Sequence, residues 1–522
     1  MKKLILPLIA VSFSLNAYCQ SSVALMVDAG ASKFKIDKQI YGHFSEHLGR
    51  CIYDGYWVSP EMAIQKDDRI RLDIVSALRK IRIPNLRWPG GCFADEYHWR
   101  DGIGQGEQRP TMINTNWGNV TEDNSFGTHE FLKLCELLGT EPVIVGNVGS
   151  GTVEELSKWV EYVNYNGVSP MTNLRKANGR EKPWKVTYWG IGNENWGCGG
   201  SMTPEYYVTQ YRQYAQFAKS YPGTPLRKIA CGPNSTNYKW TETLMQGLVG
   251  QGGRGNVWGL DLHYYTRPPR GRPGEGQSLG SATSFTEETY FATMRNALLI
   301  DEIIRKHDSI MTVYDREKRI ALVVGEWGIW TDPEPGTNPR FLYQQNSLRD
   351  ALIAGTHLNI FNNHCDRVRM AQLAQTINVL QALILTEGPK MILTPTYHVF
   401  DMYKVHQDAK LLPVKFTSPD YSLNNQALPA LNVSASQDTM GIVHITLVNI
   451  DPNKSVNIST TLNQVKWSTV TGQIITSVKI TDINTFEKPE VVKIAKFEGA
   501  KKQGDLLNIV LPAKSVIMLE LK

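Results

Sequence analysis

Short apolar runs alternate with longer amphipathic segments from about residue 40 to residue 390, and this alternation restricts the fold of the 522-residue chain more than any other feature. Runs rich in β-branched and aromatic residues predict strands, and the segments between them have the periodicity of helices. Eight strands are predicted, at residues 40–46, 83–91, 141–151, 186–194, 228–235, 260–266, 320–328 and 357–366. The repeated strand–helix order predicts a parallel sheet surrounded by helices.

Helices are predicted between these strands, at residues 67–82, 128–139, 152–166, 203–222 and 347–355, with a last one at residues 370–388. Eight strand–helix units without a glycine-rich dinucleotide-binding fingerprint favour a closed barrel over an open doubly wound sheet. The predicted fold class is α/β, with a (β/α)8 TIM barrel over residues 41–394.

The sequence pattern changes after about residue 395. Apolar and polar residues alternate with a period of two, and turns rich in Asn, Asp, Gly and Pro separate the runs. This pattern predicts a C-terminal antiparallel β-sandwich domain over residues 395–522. Residues 20–40 are also β-rich and are predicted to add a strand to that sandwich.

The first residues, MKKLILPLIAVSFSLNAYCQ, place two lysines before a short apolar stretch. This is the pattern of a secretory signal peptide, predicted here as residues 1–19 with cleavage after Cys19. Attachment of a lipid to Cys19 is an alternative, which the bulky Tyr18 disfavours. The sequence therefore predicts export to the periplasm or the cell exterior, and no later stretch is long and apolar enough to span a membrane.

Charge and cysteine content exclude several classes of function. Loss of Lys2 and Lys3 with the leader lowers the formal net charge from +5 to +3, which makes nucleic acid an improbable partner. The remaining cysteines lack the paired spacing of a structural zinc site, and lie at positions 51, 92, 135, 198, 231 and 365. Some could pair in an exported protein, but buried thiols are the favoured interpretation.

Polar residues follow nearly every predicted strand, and in a barrel those strand ends meet on the face where catalytic loops lie. Glu194 in WGIGNENWG and Glu326 in LVVGEWGIW occupy similar positions on the fourth and seventh predicted strands. Paired carboxylates on one barrel face are typical of glycoside hydrolysis, and tryptophans suit the apolar faces of sugars. The alternative is that each glutamate only caps a loop or pairs with an arginine.

The sequence resembles the α-L-arabinofuranosidases of glycoside hydrolase family 51. The resemblance runs from about Ile40 into the C-terminal β domain and rests on motifs that occur in order: IYGHFSEHLGRCIYDG, NLRWPGGCFADEYHWRDGIG, WGIGNEN, LHYYT, GEWGIW and LAQTINVLQA. It implies a retaining double displacement with Glu194 as general acid/base and Glu326 as nucleophile. It also implies exo-acting release of terminal non-reducing α-L-arabinofuranosyl residues from arabinan, arabinoxylan or their oligosaccharides.

The resemblance implies substrate contacts for two further polar residues. Asn193 matches an asparagine that binds the sugar 2-hydroxyl, although an asparagine here could also only cap the backbone. Glu46 matches a carboxylate that hydrogen-bonds the arabinofuranose hydroxyls. A salt bridge from Glu46 to Arg50 or Arg87 is the structural alternative.

Two residues, one within the sixth predicted strand and one beyond the eighth, match the family in the same way. Tyr265 corresponds to a tyrosine that contacts the nucleophile or the sugar, with Tyr264 one position away. Gln375 corresponds to a glutamine that reaches the sugar. His263 has no second histidine at metal-ligand spacing, so a hydrogen bond beside a catalytic carboxylate is the preferred interpretation over a metal site.

The RWPGGCF and EYHWRDGIG motifs supply the remaining predicted contacts. Gly91 and Cys92 match positions where the family brings backbone and a side chain to the sugar, and relatives commonly have Asn in place of Cys92. Trp99 is a candidate wall of the subsite, or alternatively a core residue.

Several alternatives to this function stay open from the sequence. The same scaffold could serve an endo-β-glucanase or a xylosidase, or a non-catalytic carbohydrate-binding protein. No cofactor motif is present and no metal is expected, since two carboxyl groups suffice for the chemistry. The expected partner is an arabinofuranosyl-containing oligo- or polysaccharide, and the resemblance implies a homo-oligomer, specifically a hexamer.

Overall fold

A computed structural model describes residues 22–249, 256–269 and 278–522, so the predicted leader at residues 1–19 lies outside the described residues. Eight parallel strands close into a barrel. They are β1 Gly42–Phe44, β2 Asn85–Trp88, β3 Glu141–Gly146, β4 Tyr188–Ile191, β5 Arg227–Asn234, β6 Gly259–Thr266, β7 Ala321–Ile329 and β8 Val368–Ala374.

Each barrel strand pairs with the next one in the chain, and β8 returns to β1 with Gln372 opposite Gly42. Alternate residues of the strands point to the two sides of the barrel wall. One set packs against the helices in a large apolar core, and the other includes a small cluster with Val143, Ile229 and Val323. The predicted barrel is confirmed, and its carboxyl strand ends define the face on which a site is expected.

Helices cover the barrel, and five of the nine in the described residues overlap predicted helices. The nine helices are α1 Leu72–Lys80, α2 Thr128–Leu138, α3 Val153–Asn164, α4 Pro170–Ala177, α5 Pro204–Phe217, α6 Tyr238–Leu248, α7 Glu287–Tyr314, α8 Leu348–Asn363 and α9 Pro395–Tyr403. Thr152 and Thr203 each accept a backbone hydrogen bond as N-caps, at α3 and α5. None of the helices in the described part of the chain combines the length and apolarity needed to cross a membrane.

The prediction for the eighth strand and the last helix is wrong. Residues 357–363 continue α8, and the strand lies later, at β8, within the segment predicted as a helix. Helix α8 is buried on nearly all sides, so its sequence lacks the polar stripe that marks a surface helix. A short buried apolar run does not distinguish a helix from a strand.

Two β-sheets form the C-terminal domain, as predicted. One contains Val414–Lys415, Val23–Asp28, Val456–Asn463, Leu506–Leu511 and Ala500–Gln503. The other contains Lys410–Leu411, Leu431–Gln437, Val443–Asn449, Ser515–Leu521, Val470–Ile475 and Ala495–Phe497. The N-terminal strand Val23–Asp28 pairs in parallel with Val456–Asn463, whereas the other pairings in the two sheets are antiparallel.

Helix α9 belongs with the barrel although its sequence was predicted to open the sandwich. Its Tyr397 hydroxyl donates to the Ala77 carbonyl of α1. We therefore propose that the boundary between the two domains follows α9 rather than residue 394, with Val23–Asp28 as part of the sandwich.

Candidate active site

Two glutamates meet at the carboxyl ends of the barrel strands. Glu194 lies just after β4, and Glu326 lies within β7. One carboxylate oxygen of each, together with a ring nitrogen of His263, all lie within 4.8 Å of one another. Glu194 has a φ of +42°, a conformation that a residue other than glycine rarely adopts. Such backbone strain is concentrated at functional sites.

Glu326 is buried and is held by three different side chains. The Arg87 guanidinium of β2 donates to its Oε1 at 3.2 Å, and the Tyr265 hydroxyl donates to its Oε2 at 2.8 Å. The His263 Nδ1 lies 3.5 Å from Oε2. Burial raises the pKa of Glu326, and the positive charges of His263 and Arg87 oppose this rise.

Gly91 allows the loop after β2 to approach Glu326 closely. A Cβ atom at this position would lie 2.9 Å from Glu326 Oε1 and 3.2 Å from the ring of Phe44. Any other residue would therefore displace the carboxylate or the ring. The structure thus places the predicted residue Gly91 against Glu326, where its backbone lines the pocket.

His263 connects the two glutamates. Its Nδ1 lies 2.8 Å from Glu194 Oε1, and its Nε2 lies 3.2 Å from Asp261 Oδ2. Burial alone would lower the pKa of His263, but Glu326, Asp261 and Glu194 together raise it to about 10. The ring is therefore an imidazolium at neutral pH and donates from both nitrogens.

Glu46 lies in the loop after β1 and accepts three hydrogen bonds. Its Oε1 accepts from the Phe93 N–H at 3.1 Å and from the Trp117 indole N–H at 2.9 Å, and its Oε2 accepts from the Gln375 amide at 3.0 Å. Burial, reinforced by Glu326, raises the pKa of Glu46 to about 7. The alternative salt bridge is absent among the described residues, because Arg87 pairs with Glu326 and Arg50 donates to the Thr386 carbonyl.

Two amide side chains at the site each have one buried atom without a partner in the described residues: Nδ2 of Asn193 and Oε1 of Gln375. The Oδ1 of Asn193 accepts from Arg87, and its backbone N–H donates to Asp95 at 2.8 Å. Both side chains are therefore fixed in place with hydrogen-bonding capacity left over. Unpaired buried polar atoms are costly, and a bound hydroxyl group would satisfy them.

A pocket of about 220 Å³ opens beside the glutamates. Its lining combines carboxylates, three tryptophans and apolar side chains: Glu46, Leu48, Gly91, Cys92, Trp117, Glu194, Trp196, Asn234, His263, Tyr265, Arg267, Glu326, Trp330, Leu342, Gln375 and Leu380. Tyr264 points away, since its hydroxyl bonds to the Asn296 carbonyl. Tyr265 is therefore the tyrosine of the site.

Trp99 does not line the pocket, so its assignment as a subsite wall is wrong. The side chain is buried, its indole N–H donates to the Glu155 carbonyl, and its ring stacks on Trp159 at 6.1 Å. It is a core residue between the barrel and α3. Trp117, Trp196 and Trp330 supply the aromatic surface instead.

Cys92 forms a disulfide with Cys198, which corrects the expectation of a free thiol at both positions. The bond joins the loop after β2 to the loop that carries Glu194, and the Cys198 sulfur lies 3.7 Å from Glu194 Oε2. Cys51, Cys135, Cys231 and Cys365 are buried free thiols. Cys92 lines the pocket with its sulfur in a covalent bond, so its side chain offers a ligand no hydrogen-bond donor.

Sequence analysis missed Arg87 and Asp95 as functional residues. Arg87 lies inside a strand and Asp95 in a short helical turn, and both belong to the NLRWPGGCFADEYHWRDGIG motif, in which sequence analysis assigned other residues. Asp95 accepts from the backbone N–H groups of Val148, Gly149 and Asn193, so it fixes the loops after β3 and β4. The available signal in the sequence was a charged residue in or shortly after a barrel strand, where a buried charge is costly unless it has a partner or a function.

Two groups of described residues have ligand atoms close enough to hold a metal ion. One consists of Glu194, Cys92 and Cys198, but both sulfurs form the disulfide. The other consists of Glu194, His263 and Glu326, where the nearby Arg87 guanidinium disfavours a further cation.

A barrel that brings a carboxylate after its fourth strand and another on its seventh into one aromatic-lined pocket defines a glycoside hydrolase. Comparison with known proteins identifies the family. Residues 77–288 match the model of the α-L-arabinofuranosidase 1 domain, and residues 325–515 match that of the α-L-arabinofuranosidase C-terminal domain. The chain belongs to the α-L-arabinofuranosidases of glycoside hydrolase family 51, and its activity is that of an exo-α-L-arabinofuranosidase.

Individual relatives resemble nearly the whole chain. An intracellular exo-α-L-arabinofuranosidase of Bacteroides ovatus is 50% identical over 98% of each chain. The crystal structure of the family 51 arabinofuranosidase of Xanthomonas axonopodis pv. citri is 46% identical, with a TM-score of 0.92 over 96% of this chain and 100% of that one. An arabinose complex of the Thermotoga maritima α-L-arabinofuranosidase is 28% identical, with a TM-score of 0.83 over 96% and 99%.

The prediction of export is contradicted by the Bacteroides ovatus relative, which is named an intracellular enzyme. The predicted periplasmic or extracellular location is therefore wrong. Two lysines before a short apolar stretch did not identify the compartment.

Proposed function

We propose that this enzyme releases terminal non-reducing α-L-arabinofuranosyl residues by a retaining double displacement, with Glu194 as general acid/base and Glu326 as nucleophile. The observation that carries the proposal is the short distance between the two carboxylates, whose facing oxygens lie within 4.8 Å. Carboxyl groups of retaining enzymes lie about 5–5.5 Å apart, whereas inverting enzymes need about 6.5–9.5 Å to admit a water molecule.

In the first step, Glu326 attacks the anomeric carbon while Glu194 gives its proton to the departing glycosidic oxygen. The carbon–oxygen bond breaks and an arabinosyl ester forms on Glu326. In the second step, Glu194 takes a proton from water, whose oxygen displaces Glu326. The nucleophile must be ionised at the outset, and the cations of Arg87 and His263 favour that form of Glu326.

The partner-free atoms at the site support recognition of one sugar ring. Asn193 Nδ2 is a donor and Gln375 Oε1 is an acceptor, so both are suited to hydroxyl groups. Glu46, held by three donors, is a rigid acceptor next to them. These contacts favour a small, polar, hydroxyl-rich ligand over an apolar one.

The proposed substrates are arabinose side chains of arabinan, arabinoxylan or oligosaccharides derived from them. The cavity, at about 220 Å³, is smaller than the roughly 300–1,000 Å³ of sites that enclose drug-sized ligands. It suits one sugar ring rather than a polysaccharide chain. Trp196 and Trp330 line the same pocket and offer apolar faces to the sugar that leaves.

The test measures hydrolysis of 4-nitrophenyl α-L-arabinofuranoside, with the β-D-xylopyranoside and β-D-glucopyranoside as competing substrates. We expect the arabinofuranoside to be preferred and Glu326→Ala to abolish turnover. Azide should restore turnover to a Glu194→Ala variant with retention of configuration, so that the product is the α-arabinosyl azide. It should restore turnover to Glu326→Ala with inversion, so that the product is the β-arabinosyl azide. Undiminished turnover by Glu326→Ala, or a preference for a glucoside or xyloside, would contradict the proposal.

We also propose that the enzyme assembles as a hexamer, which the family resemblance alone supports. Light scattering on the purified protein tests this. A mass equal to that of a single chain, 58.7 kDa, would contradict it.

A further inference from the structure

Asp261 is a partly buried carboxylate that, among the described residues, hydrogen-bonds to one side chain. It lies on β6, two residues before His263, and its Oδ2 is 3.2 Å from His263 Nε2. Its Oδ1 is buried and has no partner in the described part of the chain. A buried carboxylate oxygen without a partner is costly, so the position invites a functional explanation.

Gly325 leaves the space that the Asp261 carboxylate occupies. A Cβ atom at Gly325, directly before the nucleophile, would lie 1.9 Å from Asp261 Oδ1. A side chain at position 325 and the present placement of Asp261 are therefore incompatible. The position of Asp261 on β6 therefore depends on the absence of a side chain at Gly325 on β7.

We propose that Asp261 is a positioning residue that keeps His263 doubly protonated, so that its Nδ1–H is always directed at the acid/base Glu194. The Nε2–H donates to Asp261 Oδ2, and the Nδ1–H donates to Glu194 Oε1 across 2.8 Å. With Oε1 occupied as an acceptor, the proton that Glu194 transfers is carried by Oε2. The inference rests on the proposed roles of Glu194 and Glu326.

Charged and titratable groups approach this imidazole from several elements. Asp261 lies on the same strand, Glu194 follows β4, and Glu326 lies on β7. Burial raises the pKa of the Cys231 thiol of β5, and the charges of Asp261 and Glu194 add to this rise. Arg87 and Tyr265 reach Glu326 rather than the ring. Three carboxylates therefore surround one imidazole, and this favours its cationic form.

Loss of the Asp261 charge and of its hydrogen bond should lower the pKa of His263, although Glu326 and Glu194 remain beside the ring. Wherever the ring is then neutral, Glu326 lacks the cation 3.5 Å away that opposes the rise in its pKa, so its ionisation moves to higher pH. The acid limb of kcat/KM reports the ionisation of the free enzyme's nucleophile. We expect Asp261→Asn to shift that limb upward by about one pH unit or more. At pH 5 to 6, kcat/KM should therefore fall at least about tenfold.

The direct readout is ¹⁵N NMR of histidine-labelled protein without substrate. In the wild-type enzyme at pH 8, we expect His263 to show two protonated nitrogens, and in Asp261→Asn one. Gly325→Ala, which displaces the carboxylate, should reproduce both the NMR change and the shift of the acid limb. It provides a second variant should Asp261→Asn not fold.

Asp315→Asn is the matched control, because Asp315 is a buried aspartate outside the site that accepts from Arg367 and from the Ile320 N–H. It should lower the thermal stability and leave the acid limb and His263 unchanged. A neutral His263 in the wild-type enzyme at pH 8, or an unmoved acid limb in folded Asp261→Asn, would overturn the inference. Failure of the wild-type enzyme to cleave arabinofuranosides would instead overturn the proposed function, which the NMR experiment does not require.

Discussion

Asn193 shows how single residues at this site are fixed before any substrate arrives. Its backbone N–H donates to Asp95, and its Oδ1 accepts from Arg87, so the side chain cannot rotate freely. The remaining polar atom, Nδ2, is buried without a partner in the described residues. Leaving a buried donor unpaired costs about 1–3 kcal/mol, so the folded enzyme carries a cost that a bound hydroxyl group would remove.

Asn193→Ala should lower kcat/KM for 4-nitrophenyl α-L-arabinofuranoside by about 10²–10³, the usual effect of removing one transition-state hydrogen-bond donor. The loss should appear mainly in kcat, because contacts to the 2-hydroxyl strengthen in the transition state. Steady-state kinetics of both forms on the substrate and on its 2-deoxy analogue measure the effect. On the analogue, the variant and the wild type should differ little.

Asn237→Ala provides the control for that experiment. Asn237 caps α6 by accepting from the Trp240 N–H, so its loss should reduce the free energy of unfolding by about 1 kcal/mol without affecting catalysis. An equal loss of activity by Asn193→Ala on both substrates would contradict a contact to the 2-hydroxyl.

The sequence was sufficient to predict the functional residues at strand ends. In a barrel, the position of a residue relative to its own strand already determines the face on which it lies. Glu194 and Glu326 are examples, and the structure brings both to one pocket. Trp99 was assigned incorrectly because its motif does not reveal whether a tryptophan faces the pocket or the helices. The roles of Arg87 and Asp261 depend on the side of the strand to which each side chain points. Long-range packing sets that direction, and neighbouring residues in the chain do not reveal it.

At the scale of elements, the Cys92–Cys198 disulfide joins two catalytic loops. The loop after β2 carries Gly91 against Glu326, and the loop after β4 carries Glu194. The two cysteines are 106 residues apart in sequence, so the bond closes a long loop in the unfolded chain. Such bonds typically stabilise a fold by about 2–4 kcal/mol.

Reduction of the wild-type enzyme, or the double substitution Cys92→Ser and Cys198→Ser, should lower both stability and activity. Release of the loop lets Glu194 drift, and a misplacement of about 1 Å at a catalytic group can cost about 100-fold in rate. Thermal unfolding and kcat/KM with and without dithiothreitol measure the two effects. The double variant should be insensitive to dithiothreitol, and full activity in that variant would show that the bond does not position Glu194.

The eighth strand shows where element prediction from this sequence fails. Helix α8 packs against the barrel on one side and the sandwich on the other, with Asn359 and Asn363 donating to the carbonyls of Asn432 and Val433. Burial on both sides removes the polar stripe that would identify a helix. Surface helices such as α2 and α3 retain that stripe, so the sequence predicts them closely. Gln375 consequently follows a strand instead of lying within a helix.

At the scale of the whole molecule, buried polar residues connect the two domains. His406 follows α9 and contacts the sandwich through Nδ1 to Ser436 Oγ at 2.7 Å and Nε2 to Thr446 Oγ1 at 3.0 Å. Thr446 in turn donates to Asn359 of α8 at 2.7 Å. The sandwich thus supports the helix behind the seventh and eighth strands, and so indirectly the position of Glu326.

Protonation of buried histidines should make the enzyme unfold in mild acid. Burial lowers the pKa of His43 and His406 to about 3 and that of His357 to about 4, against 6.5 for an exposed ring. Between these values the unfolded chain binds more protons than the folded one. The stability that these residues contribute is therefore complete above pH 6.5 and is lost as the pH falls toward 4. Burial raises the pKa of Glu46 and of Asp95 to about 7, and these two groups change stability in the opposite direction. Burial also lowers the pKa of three further histidines to about 4, namely His129, His307 and His398, and these act in the same direction as the first three.

We expect the midpoint of thermal unfolding to fall steadily between pH 7 and pH 4.5 in calorimetry. Each histidine contributes up to about 1.4 kcal/mol per pH unit over this interval. His406→Asn, which keeps hydrogen-bonding capacity toward Ser436 and Thr446 but does not titrate, should show a shallower fall than the wild type. A midpoint that stays level to pH 4.5 would mean that these rings are protonated within the folded protein. Their hydrogen bonds would then have to rearrange at the interface between barrel and sandwich.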